Sequence, residues 1–192
     1  KGQGEAVLGK KIGNRAMLWG SLAGTVPDLD VLGRFFLSSI DNISFHRGIS
    51  HSLTFSVFGA LLLGYLVHLL YKYLDQRRKN PRPQASLRQW QWLFFWGLFT
   101  HPILDCFTMY GTELFAPFSE TRIAWATISV ADPFYTIPFL ICLIIASRFN
   151  RDSQKRRFWA YLGIGLSSSY LLFTVVNKPV SYTHLTLPTR LS

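Results

Sequence analysis

Apolar residues run in blocks along this chain instead of alternating with polar ones. Ser52 to Tyr71 holds no Lys, Arg, Asp or Glu, and Gln89–Tyr110, Ser129–Ser147 and Phe158–Val176 are comparably apolar and aromatic. A helix needs about 20 mostly apolar residues to cross the hydrocarbon core of a bilayer. The pattern therefore predicts an all-α polytopic membrane bundle of four to five transmembrane or membrane-embedded helices. The fifth is Ala16–Val26, with Gly20 and Gly24 four apart as close-packing positions. At helical rise it covers only about 16 Å of a core roughly 30 Å thick, so it either starts earlier or lies half-buried in the bundle. Pro27 ends it. Asp132 reads as the cap of the 129–147 helix, with Pro133 as its first residue.

Composition agrees with the blocks. Of 192 residues 49% are hydrophobic and only 16% charged, where a soluble domain carries about 25% charged. Cys106 and Cys142 both fall in apolar segments, which argues for packing cysteines over a disulfide.

The net charge of +10 would fit a nucleic-acid partner until its position is considered. Three, six and five of the 20 Lys and Arg fall in Lys10–Arg15, Lys72–Arg88 and Arg148–Arg157, the loops that alternate topology assigns to one side. Short basic loops favour the cytoplasm. The excess is thus a topology signal, and no nucleic acid is expected.

The same topology collects the residues that a membrane segment should not contain. His101 and Asp105, four apart, share one face of a helix inside an apolar run. Asp28 and Asp30 follow the first helix, His46 and His51 precede the 52–71 helix, and Asp132 opens another. All fall on the outer side at similar depth. Singly each has a plain alternative: a helix exit for Asp28 and Asp30, interfacial histidines for His46 and His51, mutual satisfaction of buried polarity for His101 and Asp105, and a cap for Asp132. Jointly, imidazoles and carboxylates are the donors of catalytic zinc sites. Three histidines and four carboxylates exceed the needs of one ion, so two or more divalent ions, zinc by donor type, are expected. Arg47 would serve as the electrophilic partner of a phosphate oxygen, and Arg122 would do the same from the outer loop; for either, an interfacial charge is the plain alternative. His68 reads as an interfacial or packing histidine.

Gly4-Glu5-Ala6-Val7-Leu8-Gly9-Lys10-Lys11-Ile12-Gly13-Asn14, Pro27-Asp28-Leu29-Asp30, His46-Arg47-Gly48-Ile49-Ser50-His51-Ser52, His101-Pro102-Ile103-Leu104-Asp105 and Ala131-Asp132-Pro133 occur in an order that resembles the YdjM-like family of membrane-bound, metal-dependent hydrolases. The resemblance covers nearly everything from Gly4 to about Lys178. It implies a helical inner-membrane protein, distantly similar to zinc-dependent phospholipase C and the single-strand-specific zinc nucleases. It also implies Asp28, Asp30, His46, His51, His101, Asp105 and Asp132 as metal ligands.

The expected function is hydrolysis of a phosphoester by metal-activated water at the outer face of a bacterial inner membrane; the phospholipid membrane is the expected partner, and the phosphoester substrate is expected in a lipid-like or another surface molecule. The alternatives are a non-catalytic protein that binds or transports a divalent cation through the same cluster, and a scaffold in which the cluster only locks helix packing. Residues 1–178 are expected to form one domain truncated at both ends, lacking the family's short first helix. Residues 179–192, with no helical periodicity, resemble translated sequencing-adapter read-through and are expected to be non-native.

Overall fold

The computed structural model describes residues 8–30, 48–77, 84–130 and 132–185, with side chains to 178. Five α-helices have both ends within these residues: α1 (Asn14–Thr25), α2 (Leu53–Gln76), α3 (Leu87–Cys106), α4 (Pro133–Ser147) and α5 (Gln154–Leu185). A helical piece over residues 8–12 precedes α1. Pairing between extended segments is limited, among the described residues, to isolated bridges joining Thr108 to Ile128 and Thr112 to Ile123. The fold is an all-helical bundle.

Local chemistry sets the helix starts. Ser52 caps α2 by accepting a hydrogen bond from the Phe55 amide, 3.0 Å. Ser86 and Gln89 form a reciprocal capping box at α3, so that helix begins two residues before Gln89. Asp132 Oδ1 accepts from the amides of Phe134 and Tyr135 at 2.9 and 3.2 Å, with Pro133 as the first residue of α4. The last helix departs from the sequence reading at both ends: it starts at Gln154, inside the basic loop Arg148–Arg157, and its backbone stays helical to Leu185. Once nucleated, a helix gains one hydrogen bond for each residue added, so weak periodicity is a poor stop signal.

Helix α3 is the centre of the main core. Its Trp90, Leu93, Phe94 and Leu98 are almost completely buried, between α1 on one side and α2 on the other. Near one end Tyr71 stacks on Trp90 with centroids 5.3 Å apart, and Trp19 donates from Nε1 to the Tyr71 hydroxyl. Towards the other end α1 and α3 touch backbone to backbone. A Cβ added at Gly97 would lie 2.5 Å from the Ala23 Cβ and 3.5 Å from the Gly20 carbonyl oxygen. Only glycine allows that approach. Helices α4 and α5 pack as an antiparallel pair.

Among the described residues, two helices are long and apolar enough to cross a membrane: Leu53–Gln76 and residues Gln154–Lys178 of α5. Only 22% and 17% of their apolar windows are buried, which is too little for core helices of a soluble protein. Leu61, Leu62, Leu66, Leu69 and Leu70 point outward from α2 instead. Helix α4 is apolar but has only 15 residues. Helix α3 has 20 residues, and it mixes its aromatic run with Arg88, Gln89, Gln91, His101 and Asp105.

Candidate metal centre

Three short stretches meet at one end of the main core. After α1, Pro27 opens a 3-10 turn over residues 27–30 that carries Asp28 and Asp30. A second 3-10 turn, Ile49–His51, leads into α2. The last turn of α3 supplies His101 and Asp105. The Gly97–Ala23 contact lies one helical turn before His101 and five residues before Asp28, so it sets the distance between those two side chains.

Four side-chain atoms converge. His51 Nε2 stands 3.5 Å from Asp28 Oδ1 and 3.5 Å from Asp105 Oδ2. His101 Nε2 stands 3.3 Å from the same Asp28 oxygen and 3.5 Å from the same Asp105 oxygen. Neighbouring ligands of tetrahedral zinc, with bonds of about 2.0–2.1 Å, are separated by about 3.3 Å. The ring of nitrogens and oxygens therefore has the edge length of a ligand shell, and it is wider than good hydrogen bonds. Among the described residues, His101 Nε2 and Asp105 Oδ2 are buried with no hydrogen-bond partner. An orphaned pair of this kind is costly unless something else satisfies it. Asp28, His51 and His101 form a group able to hold a metal ion, their ligand atoms all within 4.8 Å of one another.

The ring has a buried side and an open side. His51 is fully buried and Asp105 nearly so, whereas the Asp28 side chain is 51% exposed. Contact with His101 and then His51 holds the Asp28 carboxyl well below the usual carboxylate range, against a smaller opposing effect of burial. Behind the ring, Asp30 Oδ2 lies 3.4 Å from His51 Nδ1 and accepts a 2.6 Å hydrogen bond from the Ser50 hydroxyl. Ser50 Oγ is also 3.1 Å from that nitrogen. Asp30 thus faces the side of the imidazole turned away from the other donors.

The His51 turn is fastened from the loop after α3. Thr112 donates to the His51 carbonyl at 3.2 Å, and the Leu53 amide donates to the Leu114 carbonyl at 2.9 Å. Thr108 Oγ1 closes the α3 terminus by donating to the Asp105 carbonyl, 2.7 Å.

Residues 3–180 match the YdjM inner membrane protein family. The chain belongs to that family. Among curated proteins, YfhP of Bacillus subtilis (strain 168), described as uncharacterized, is 30% identical over 132 residues, which is 68% of this chain and 36% of YfhP. The inner membrane protein YbcI of Escherichia coli (strain K12) is 32% identical over 141 residues, 69% of this chain and 74% of YbcI. The chain thus spans about a third of YfhP and about three quarters of YbcI. No solved structure matches it.

The remaining sequence candidates in this YdjM family member are distributed differently. His46 and Arg47 lie outside the described residues. Asp132 is engaged through both oxygens, one capping α4 and the other accepting from the Tyr170 hydroxyl at 3.1 Å, and it is not among the grouped ligand atoms. Arg122 pairs with Glu113 at 3.0 Å. His68 is half-buried midway along α2. Ser50 and Thr112 have places at the site that the sequence reading did not assign. Ser50, between Gly48 and His51, sits inside a quoted motif. Thr112 carries no sequence signal, because its role depends on how the loop folds back.

Proposed function

We propose that this chain is a multi-pass inner-membrane hydrolase domain whose divalent metal is held by Asp28, His51, His101 and Asp105. The observation that carries this reading is the ring of four N···O separations between 3.3 and 3.5 Å around two orphaned, buried ligand atoms. Two imidazoles and two carboxylates suit zinc. Asp30 and Ser50 act as orienting partners of His51: by engaging Nδ1 they turn Nε2, with its lone pair, toward the ion. This role replaces direct ligation for Asp30, and the capping role of Asp132 leaves it outside the shell.

A divalent cation bound here supplies activated water and offsets charge on a phosphoryl oxygen. The protein's own part is to hold the donors rigid and leave one side accessible. Asp28, half exposed, marks the side from which a substrate enters. The donor set and the membrane setting favour a phosphoester, with a lipid or another surface molecule as its source.

Orientation follows from α2. The His51 turn precedes its first residue, while Lys72 and Arg77 lie near its far end. Its 24 residues make it about 36 Å long at helical rise. With the basic end in the cytoplasm, the metal ring faces outward.

The test is metal analysis of protein purified without chelator, followed by hydrolysis of a phosphodiester such as bis(p-nitrophenyl) phosphate. The expected result is at least one zinc per chain, with both metal and turnover lost in His101→Ala. Metal bound without turnover on any phosphoester would move the reading to cation binding or transport. Absence of metal would end both readings.

A further inference from the structure

A groove of about 300 Å³ lies between α2 and α3. It is walled by Val57 and Leu61 of α2 and by Trp92 and Phe95 of α3, and Arg88 and Gln91 supply its polar lining. Close packing fixes the register of the two helices beside it. A Cβ added at Gly64 would lie 2.8 Å from the Gln91 backbone, and one added at Gly59 would lie 3.1 Å from a methyl of Leu98. The helices therefore run antiparallel, with Gln91 level with the middle of the 24-residue α2. Arg88, about one turn earlier on α3, still lies within the length of that apolar span. Val57, Leu61 and Trp92 are exposed, and beside a membrane-crossing helix their surroundings are acyl chains, not water.

Among the described residues, the side chains of Arg88 and Gln91 have no hydrogen-bond, ion-pair or ring partner. A guanidinium within the depth of a span is costly, and such charges are almost always paired. The place of Arg88 adds to that cost. It is the second residue of α3, whose first turn holds no acidic residue, so its charge meets the positive end of the helix dipole. An anion held there offsets both effects. Guanidinium forks match phosphate oxygens, and the Gln91 amide adds a neutral donor. The walls beyond these two residues are apolar, so the anion fits as the head of a molecule with a hydrocarbon tail.

We propose that this groove seats an anionic phospholipid from the leaflet at the basic end of α2, its phosphate on Arg88 and Gln91 and one acyl chain along Val57, Leu61 and Phe95. Arg88 precedes His101 by 13 residues, about 20 Å along α3. The proposal does not depend on the metal reading.

The experiment uses the full chain in nanodiscs of phosphatidylcholine with or without phosphatidylglycerol, reading the thermal unfolding midpoint. Native mass spectrometry of the detergent-released protein counts the lipid retained. The expected result is a higher midpoint with phosphatidylglycerol and its selective retention over phosphatidylcholine. Arg88→Gln should retain about tenfold less, the scale of losing one charge-assisted hydrogen bond, and Arg88→Lys should fall between. Leu61→Trp fills the groove from an exposed position and leaves Arg88 in place. It should lower retention as well, which separates a seat in the groove from general attraction of anionic lipid to the basic loops. If Arg88→Gln fails to fold, Leu61→Trp carries the test alone. Equal retention of the two lipids, or retention unchanged in the variants, overturns the proposal. So does a dimer that Leu61→Trp disrupts while lipid has no effect, because the groove would then seat a second copy of the chain.

Discussion

Asp30 stands behind His51, its Oδ2 3.4 Å from Nδ1, while the Nε2 of the same ring faces Asp28 at 3.5 Å. One imidazole is thereby gripped on one nitrogen and presented on the other. Replacing Asp30 with Asn keeps an oxygen in place but removes the charge that faces His51 Nδ1. Zinc affinity should fall about 10–100-fold, the usual cost of losing an outer-shell partner, with helicity unchanged. Titration against a competing chelator measures this, and an affinity equal to wild type would remove Asp30 from the site.

His101 and Asp105 should respond as ligands. In His101→Ala, bound zinc should drop to background, and adding EDTA should leave the unfolding temperature unchanged, whereas it should lower that of wild type. The comparison separates a site that binds metal from one that only packs. A chelator effect of equal size in both proteins contradicts ligation by His101.

The 2.5 Å gap available to a Cβ at Gly97 against Ala23 predicts that Gly97→Ala forces α1 and α3 apart. Overpacking of this sort costs about 1–3 kcal/mol, and here it should also weaken metal binding by separating Asp28 from His101. Adding Ala23→Gly should recover most of both losses. A double-mutant cycle on stability and zinc affinity tests the coupling; strict additivity would show that this contact does not set the site.

Metal binding should weaken as pH falls. Ligation needs neutral imidazoles, and an unperturbed imidazole protonates near pH 6.5. Asp28 is held below the usual carboxylate range, so it stays anionic across the range in which histidine side chains ordinarily protonate. Its own contribution to stability is present above that range and is lost only as the pH drops through its depressed value. Zinc release should therefore centre between about pH 7 and 5 and involve up to two protons per ion. Release confined to pH below about 4, where carboxylates titrate, would point to an all-carboxylate site.

Orientation can be checked with cysteine labelling, since native Cys106 and Cys142 are buried and give little background. Glu120→Cys, in the loop after α3, should react with an impermeant maleimide from the outer side of the membrane. Arg157→Cys should react only after the membrane is opened. The reverse pattern inverts the topology.

Local signals in the sequence located much of this. The Asp132-Pro133 pair marks a helix start because capping is short-range chemistry. His101 and Asp105 share a face because helical spacing alone puts them there. The division of labour among the carboxylates was not legible. Asp28 and Asp30 are equivalent as residue types, and only the 3-10 turn decides that one faces Nε2 and the other Nδ1. The capture of Asp132 by Tyr170, 38 residues away, is a tertiary event with no local trace. So is the hold of Thr112 on the His51 turn, 61 residues away.

That hold has a practical side. A purification tag or fluorescent reporter inserted between Thr108 and Leu114 would cut the tether of a donor residue, even though the insertion point looks like ordinary loop. The tip around Phe118, 86% exposed, can carry the same cargo without tugging on His51.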